Sequence, residues 1–369
     1  MGWLDRGQQD KIGRRLDVRP SWRIGVKRML AWLRRRWALL LILVGVMVLV
    51  VLQFDNLVKL ETILVQGQWP WLLATALLQG VYYLLYAVQY ELGFATVEVE
   101  SKWTELVPVM FASIFVATLV PSGGLSSLAI FVDDAARRGQ SPARAAEGAL
   151  LVLVADLATM VPLISYGLAY LAARGVILPY QIVASAFFLV FVAGLMGVIL
   201  LGRWLPAELR NLLRWVQENV NWLASLVNWP PPLPPGWADR QANDYISAAR
   251  HIGDHPHALG WTLTVAFTVH LVALASLYTV SLAYGLPLSF GAMTAAFSLN
   301  VVFSVVALIP QGLGLAEGIM ALVLITLGVA AGKALAITLV FRGLNVWLPL
   351  VVGFLFLRRV RSFGGGTPR

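Results

Sequence analysis

The feature that most constrains this chain is a set of long apolar runs without any charge. Residues 37–53 and 178–202 contain no Lys, Arg, Asp or Glu. About 20 such residues in a helix span a hydrocarbon core of roughly 30 Å. Only 13% of all residues are charged, whereas soluble domains carry roughly 25%. The runs therefore predict an all-α, polytopic helical membrane protein and exclude a soluble enzyme.

Apolar runs of spanning length recur along the chain. We predict spans at 37–53, 71–93, 146–171, 178–202, 259–285 and 334–357. Some 36 polar and basic residues precede the first run, so it does not read as a cleavable signal peptide. The chain has no cysteine, which excludes disulfides and thiolate metal sites.

Two further apolar regions, 105–135 and 289–331, are broken in the middle by proline and glycine. Such residues end helices, and bare backbone is tolerated at membrane depth only against protein or a wet cavity. We therefore predict two broken, re-entrant helical hairpins with buried tips, whose arms either cross fully or stop midway. The tips are Pro121, Ser122, Gly123 and Gly124, and Pro310, Gln311, Gly312, Leu313 and Gly314.

Basic residues divide unequally between the two sides of this arrangement. With the N-terminus inside, the cytoplasmic segments carry 24 Lys and Arg and the outer loops carry three, as the positive-inside rule requires. We therefore expect a cell-membrane protein with both termini in the cytoplasm. Its predicted parts are a basic cytoplasmic arm at 1–36, a first membrane half at 37–202, a cytoplasmic linker at 203–258, a second membrane half at 259–357 and a cytoplasmic tail at 358–369.

The arm and the linker both suggest contact with the membrane surface. The arm has a local charge of +8, which favours anionic inner-leaflet lipids at about 1 kcal/mol per basic residue over nucleic acid. The linker predicts an amphipathic helix lying in the interface, followed by a stiff proline-rich segment. Its apolar stripe comprises Leu205, Leu209, Leu212, Val216, Val220, Leu223 and Val227.

The predicted topology contains an inverted repeat. Span 71–93, hairpin 105–135 and span 146–171 correspond in order to span 259–285, hairpin 289–331 and span 334–357, with opposite direction. Each half also carries an intramembrane charge in its last span, Asp156 in the first and Arg342 in the second. Inverted repeats with interrupted helices are typical of transporters, whose sites lie where the repeats meet.

The broken motifs resemble a known family. Pro310-Gln-Gly-Leu-Gly-Leu-Ala-Glu-Gly318, followed by Arg342-Gly-Leu-Asn-Val-Trp-Leu-Pro349 and Gly353, is similar to the lysylphosphatidylglycerol synthetase/flippase transmembrane region. The first half resembles it through Pro121-Ser-Gly-Gly124, a basic turn and Asp156. The resemblance covers about 71–357. It implies a flippase-like module for an anionic or aminoacylated phospholipid, or for a related lipid-linked molecule.

The sequence also departs from the family pattern. Members often place a Glu-Arg pair just before the aspartate, where this chain has Val152 and Leu153. Larger members add a cytoplasmic aminoacyl-transferase domain. Twelve residues come after the last predicted span here, so we expect a stand-alone module that makes no aminoacyl-lipid itself. Pro121, Pro310 and Pro349 are the expected structural hinges.

Three charged residues are the main candidates for substrate binding. Arg342 is either a phosphate anchor, an ion-pair partner of Asp156 or a snorkelling residue. Asp156 pairs with Arg342 or a hairpin amide, or else senses a proton or a lysyl ammonium group. Glu317 either caps its helix through the dipole or contacts a cationic headgroup.

Polar backbone at the tips is the second candidate. Helix N-termini there bind phosphate, and the alternative role of the glycines is tight packing. The candidate tip residues are Ser122, Gly123, Gly124, Gly312 and Gly314. His270 reads as a satisfied core histidine. Tyr82, Tyr83, Tyr86 and Tyr90 read as packing residues and interface anchors.

The leading functional hypothesis is a flippase that moves an anionic or aminoacylated phospholipid, or a lipid-linked phosphate, between leaflets. We expect no catalytic residue, metal or cofactor. The partners we expect are membrane phospholipid and a second copy of the chain or a partner synthase. Two alternatives stay open, a membrane-embedded transferase acting on lipid-linked phosphates and a non-catalytic scaffold for such a synthase.

Overall fold

The computed structural model describes residues 66–119, 125–226, 230–306 and 312–356. Within these ranges the protein is helical and contains no strand, which confirms the all-α fold class. The predicted arm 1–36, the span 37–53 and the tail 358–369 lie outside the described residues.

The helices occur in the predicted order. The first half contains α1 (Trp69–Thr96), α2 (Trp103–Leu119), α3 (Leu125–Arg137), α4 (Pro142–Ala173) and α5 (Pro179–Trp204). The linker forms α6 (Pro206–Leu226) and α7 (Trp237–Asp254). The second half contains α8 (Pro256–Ala283), α9 (Phe290–Val306), α10 (Leu315–Thr326), α11 (Ala331–Arg342), a π-helical turn (Gly343–Trp347) and α12 (Leu348–Phe356).

Five stretches of the described chain are long and apolar enough to cross a membrane. They are α1, α4, α5, α8 and the continuous helix from α11 through α12. They match five of the six predicted spans, and the sixth lies outside the described residues. The protein is therefore a multi-pass membrane protein.

The two interrupted regions form paired helices. Helix α2 packs against α3, and α9 packs against α10. Their described arms have 17, 13, 17 and 12 residues, or about 18–26 Å at 1.5 Å per residue. A helix needs about 17–25 residues to span the hydrocarbon core. The described parts of α3 and α10 are shorter than this, and those of α2 and α9 reach its lower limit. Full crossing and stopping midway both stay predictions.

Helices α1 and α8 lie side by side and antiparallel. The Gln68 amide donates to the Ala283 carbonyl at 2.9 Å, and the hydroxyls of Thr75 and Thr279 are 2.9 Å apart. The first spans of the two predicted repeat units thus run in opposite directions. This direction agrees with the inverted repeat, which itself stays a prediction.

Two glycines, one in each half, allow close packing against the hairpin of the opposite half. A Cβ on Gly167 of α4 would lie 2.7 Å from the Ser298 hydroxyl on α9. A Cβ on Gly353 of α12 would collide with the Phe111 carbonyl on α2. Small residues let membrane helices approach closely. The last span of each repeat unit therefore packs directly on the first hairpin arm of the other.

Candidate functional site

Arg342 and Glu317 form a buried salt bridge inside the second half. Arg342 ends α11 and Glu317 lies in the first turn of α10. The Arg342 Nε donates to Glu317 Oε1 at 2.9 Å, and the residues are only 5% and 7% exposed. An unpaired charge at the bilayer centre costs at least about 2.5 kcal/mol. Each residue is therefore the charge partner that the other needs.

Glu317 also caps its own helix. Its Oε2 accepts the Gly314 amide at 2.7 Å, and a carboxylate is favourable at a helix N-terminus. The sequence-based prediction of an N-terminal cap therefore agrees with the geometry. The Gly314 amide is therefore bonded to Glu317 and is not open to the phosphate that the sequence analysis expected at this helix N-terminus.

The glycines at this tip are needed for its backbone. Gly312 and Gly314 have φ of +62° and +85°, values that glycine adopts without steric cost. A Cβ on Gly312 would also lie 2.8 Å from the Ser304 Cα on α9. Tight packing, which was the alternative to phosphate contact, thus accounts for Gly312.

A π-helical turn interrupts the span directly after Arg342. The Leu348 amide bonds to the Gly343 carbonyl five residues earlier. The next donor in that series would be Pro349, which has no N–H, so the Leu344 carbonyl has no backbone donor there. The Tyr83 hydroxyl donates to this carbonyl at 2.6 Å. The hydroxyl of Tyr83 on α1 thus replaces the missing backbone donor, and Pro349, an expected hinge, lies just beyond this turn.

A second side chain of α1 holds the same turn. The Gln79 Nε2 donates to Asn345 Oδ1 at 3.1 Å, and the Asn345 Nδ2 donates to the Phe341 carbonyl at 2.9 Å. Sequence reasoning missed this contact. The available signal was a polar pair, Gln79 and Tyr83, four residues apart in an apolar span and hence on one helix face.

Asp156 lies midway along α4 and faces His270 of α8. The His270 Nε2 is 3.0 Å from the Asp156 carbonyl oxygen and 3.7 Å from its Oδ1. Only the first distance is within hydrogen-bonding range. The Asp156 side chain is 27% exposed, whereas that of His270 is 7% exposed. His270 is thus a satisfied buried histidine, and the Asp156 carboxylate is held loosely.

Polar side chains of α1 surround Asp156. Tyr82, Tyr86 and Tyr90 lie close enough to the carboxylate to interact with it electrostatically. The fully buried Gln89 amide contacts the carboxylate but forms no well-aligned hydrogen bond. The tyrosines pack against one another as predicted. Their position around Asp156 was not predicted.

The two intramembrane charges do not meet. Among the described residues, the salt-bridge partner of Arg342 is Glu317 and that of Asp156 is His270. The alternative prediction of an Arg342–Asp156 ion pair is therefore wrong. It failed because the packing of the helices brings Glu317 to Arg342 and His270 to Asp156.

Part of the predicted tip set lies outside the described residues. Its members are Pro121, Ser122, Gly123, Gly124 and Pro310. Their expected roles as phosphate ligands or hinges stay predictions.

The two centres offer different chemistry. Arg342 is a guanidinium that suits phosphate oxygens, and Glu317 occupies it in this structure. The groups around Asp156 are a carboxylate, an amide and phenols, which suit a polar or cationic headgroup. In the described part of the chain, no group of three His, Asp or Glu is placed to hold a metal ion.

The membrane-crossing helices, broken hairpins and interior charges define a polytopic helical membrane protein. The chain belongs to the lysylphosphatidylglycerol synthase TM region family, whose model matches residues 36–353. No curated protein matches the chain. The family match covers most of both predicted halves and relates the protein to lipid handling.

Proposed function

We propose that the protein moves an anionic or aminoacylated phospholipid, or a lipid-linked phosphate, between the two leaflets. It acts as a transporter and not as an enzyme. Acyl tails stay in the lipid while the headgroup passes through the polar interior of the bundle, so no charge enters bare hydrocarbon. The end at which α5 joins α6 faces the cytoplasm, because basic side chains such as Arg138, Arg144 and Arg203 gather there.

The observation that carries this proposal is the environment of Asp156. Its carboxylate lies midway along a spanning helix, yet is more than a quarter exposed and has no tight charge partner. Intramembrane ionisable residues are rare and mark substrate or ion pathways. A fully buried amide beside it, Gln89, contacts the carboxylate without forming a well-aligned hydrogen bond. A headgroup bound beside the two groups supplies hydrogen-bond partners to both.

Arg342 serves as the phosphate anchor in a second step of the same passage. A phosphate replaces the Glu317 carboxylate on the guanidinium, as two anions of similar geometry exchange on one cation. Glu317 does not become an isolated buried charge in this exchange, because its Oε2 keeps the Gly314 amide. The cap therefore lowers the cost of opening the salt bridge.

The test is headgroup translocation in proteoliposomes with fluorescent phosphatidylglycerol, lysyl-phosphatidylglycerol and a zwitterionic control lipid. The informative variant is Asp156→Asn, and the matched control is Asp244→Asn, an exposed carboxylate on α7. Loss of one charged hydrogen-bond partner is worth about 1.5–3 kcal/mol. We therefore expect Asp156→Asn to slow translocation about tenfold or more and Asp244→Asn to leave it unchanged.

Two results would contradict the proposal. One is that well-folded wild-type protein moves no lipid. The other is that Asp156→Asn and Asp244→Asn translocate at the same rate.

A second candidate function is a transferase acting on lipid-linked phosphates. The observation in its favour is the pairing of a carboxylate and an imidazole, Asp156 and His270, since such pairs serve as general bases. Mass spectrometry of lipids from cells with and without the protein tests it. A modified lipid that disappears in His270→Gln would support the transferase, and an unchanged lipid profile would eliminate it.

A further inference from the structure

Helices α6 and α7 form a hairpin with a small core of its own. Leu209 and Leu213 of α6 are buried against Ala238, Ala242 and Ile246 of α7. Only part of the predicted apolar stripe of α6 therefore faces α7. The other apolar side chains of α6 are not covered by this core.

The polar side of α6 is occupied by the returning chain. Asn221 exchanges two hydrogen bonds with the backbone of Leu233, and Gln217 bonds to the Pro234 carbonyl and the Ala238 amide. Arg214 pairs with Asp239 at 2.8 Å. These bonds clamp α6 to α7 and neutralise a basic side chain internally.

The remaining side of α6 is an exposed and largely apolar face, in whose arc Asn219 donates to the Trp215 carbonyl and Glu208 lies in the first turn. Large side chains recur there over an arc of about 100°, at 100° per residue. We call it the α6 face, and it comprises Leu212, Trp215, Trp222, Leu223 and Leu226. Trp215 is 61% exposed and Leu226 is 62% exposed. Contiguous apolar surface of this kind marks an interaction site.

The α6 face is continuous with a membrane-crossing helix. Helix α5 ends at Trp204, which is itself exposed, and Leu205 alone separates it from α6. Helix α7 then packs back on this end of α5, with Gly202 against Ala249 and Arg203 paired to Asp254 at 3.2 Å. The hairpin is therefore fixed at the end of the span, where lipid headgroups lie.

We propose that the α6 face inserts into the boundary between headgroups and acyl chains of the leaflet at the Trp204 end of α5. Its partner is a lipid surface. Two tryptophans on the face, beside Trp204, fit this layer, because amphipathic aromatic rings concentrate at the membrane–water interface. The four charged residues of α6, Glu208, Arg210, Arg214 and Glu218, sum to zero net charge. Apolar burial therefore drives insertion, and its depth does not depend on anionic lipid or salt.

The chain contains no cysteine, which permits a direct test by single-cysteine spin labelling. Leu212→Cys and Leu223→Cys place labels on the α6 face, and Glu218→Cys places a control on an exposed polar position of α6. The full-length variants are reconstituted in nanodiscs of phosphatidylcholine, with and without phosphatidylglycerol. Power saturation then compares collisions with oxygen, which partitions into lipid, and with a water-soluble nickel chelate.

We expect both face labels to favour oxygen over nickel and the Glu218 label to show the reverse. The contrast should be the same in both lipid compositions and at high salt. Nickel access at positions 212 and 223 would place the face in water and overturn the proposal. Exclusion of both reagents, with an immobilised spectrum, would overturn it in favour of cover by residues 1–65 or by a second copy of the chain. A contrast seen only with phosphatidylglycerol would overturn the apolar mechanism.

Discussion

The second membrane half holds its intramembrane charge tightly, and the first half holds its charge loosely. Arg342 meets Glu317 at 2.9 Å with both side chains almost fully buried. Asp156 is 3.7 Å from the nearest nitrogen of His270, and its carboxylate is more than a quarter exposed. Positions that correspond in the sequence pattern therefore have opposite physical states.

The difference shows that an interior charge can serve two purposes. A buried pair whose members are both hydrogen-bonded fixes the arrangement of its helices, because separating it leaves two uncompensated charges. A partly exposed carboxylate with weakly engaged neighbours has bonding capacity for a ligand. We thus expect stability to depend on the Arg342 centre and substrate handling to depend mainly on the Asp156 centre.

The largest effect on stability is expected from breaking the salt bridge. Glu317→Gln removes the carboxylate that Arg342 pairs with while the guanidinium stays buried, which costs about 3–5 kcal/mol. Thermal unfolding of the detergent-purified protein measures the loss. The double variant Glu317→Gln with Arg342→Met removes both charges and should regain part of the stability. If the double variant is no more stable than the single variant, Glu317 and Arg342 are not energetically coupled.

The next largest effect concerns the hydroxyl that completes the π-helical turn. Tyr83→Phe leaves the Leu344 carbonyl without this donor, at a cost of about 1–3 kcal/mol. The control is Tyr166→Phe on α4, whose ring is exposed and packs on Phe290. Equal melting temperatures for the two variants would show that the hydroxyl bond contributes nothing.

Asp156→Asn should destabilise the fold by at most about 1 kcal/mol, as is usual for a solvent-accessible ion pair. Its effect on lipid translocation should be larger than its effect on unfolding. Measuring both quantities on this variant and on Glu317→Gln distinguishes the Asp156 centre from the Arg342 centre. A loss of stability as large as that of Glu317→Gln would remove the distinction between the two halves.

The smallest effect is expected at Gln89. Its amide contacts the Asp156 carboxylate without forming a well-aligned hydrogen bond, so Gln89→Met should change the free energy of unfolding by less than about 0.5 kcal/mol or stabilise it slightly. Gln79→Met is the matched comparison, because it removes the bond to Asn345. Thermal unfolding of the two variants is measured side by side. Gln79→Met should be the less stable of the two, and equal stability would contradict the prediction.

Hydropathy was sufficient to predict most of the membrane architecture. Spans such as 146–171 and 259–285 need only length and composition to be recognised, and α4 and α8 lie there. Proline and glycine clusters located both hairpins, because their effect on backbone hydrogen bonding is local. These features depend on each segment by itself.

The partners within the site could not be read from the sequence. Arg342 and Glu317 are 25 residues apart, and nothing local states that α10 and α11 bring them together. The role of Tyr83 depends on a π-helical turn that lies 261 residues away, at Leu344. Such contacts are decided by the packing of helices from different parts of the chain, so the alternative that paired Arg342 with Asp156 named the wrong acid.

The π-helical turn makes the second half sensitive to the insertion or deletion of a single residue. It lies between Arg342, which is anchored to α10, and Gly353, which fits closely against α2. Each residue added to or removed from a helix rotates the downstream side chains by about 100°. Deleting one residue of the turn would thus present a different side chain to Phe111 while Arg342 stayed in place. The length of this short segment matters as much as its composition, because it sets the rotation of Gly353 about the helix axis relative to Arg342.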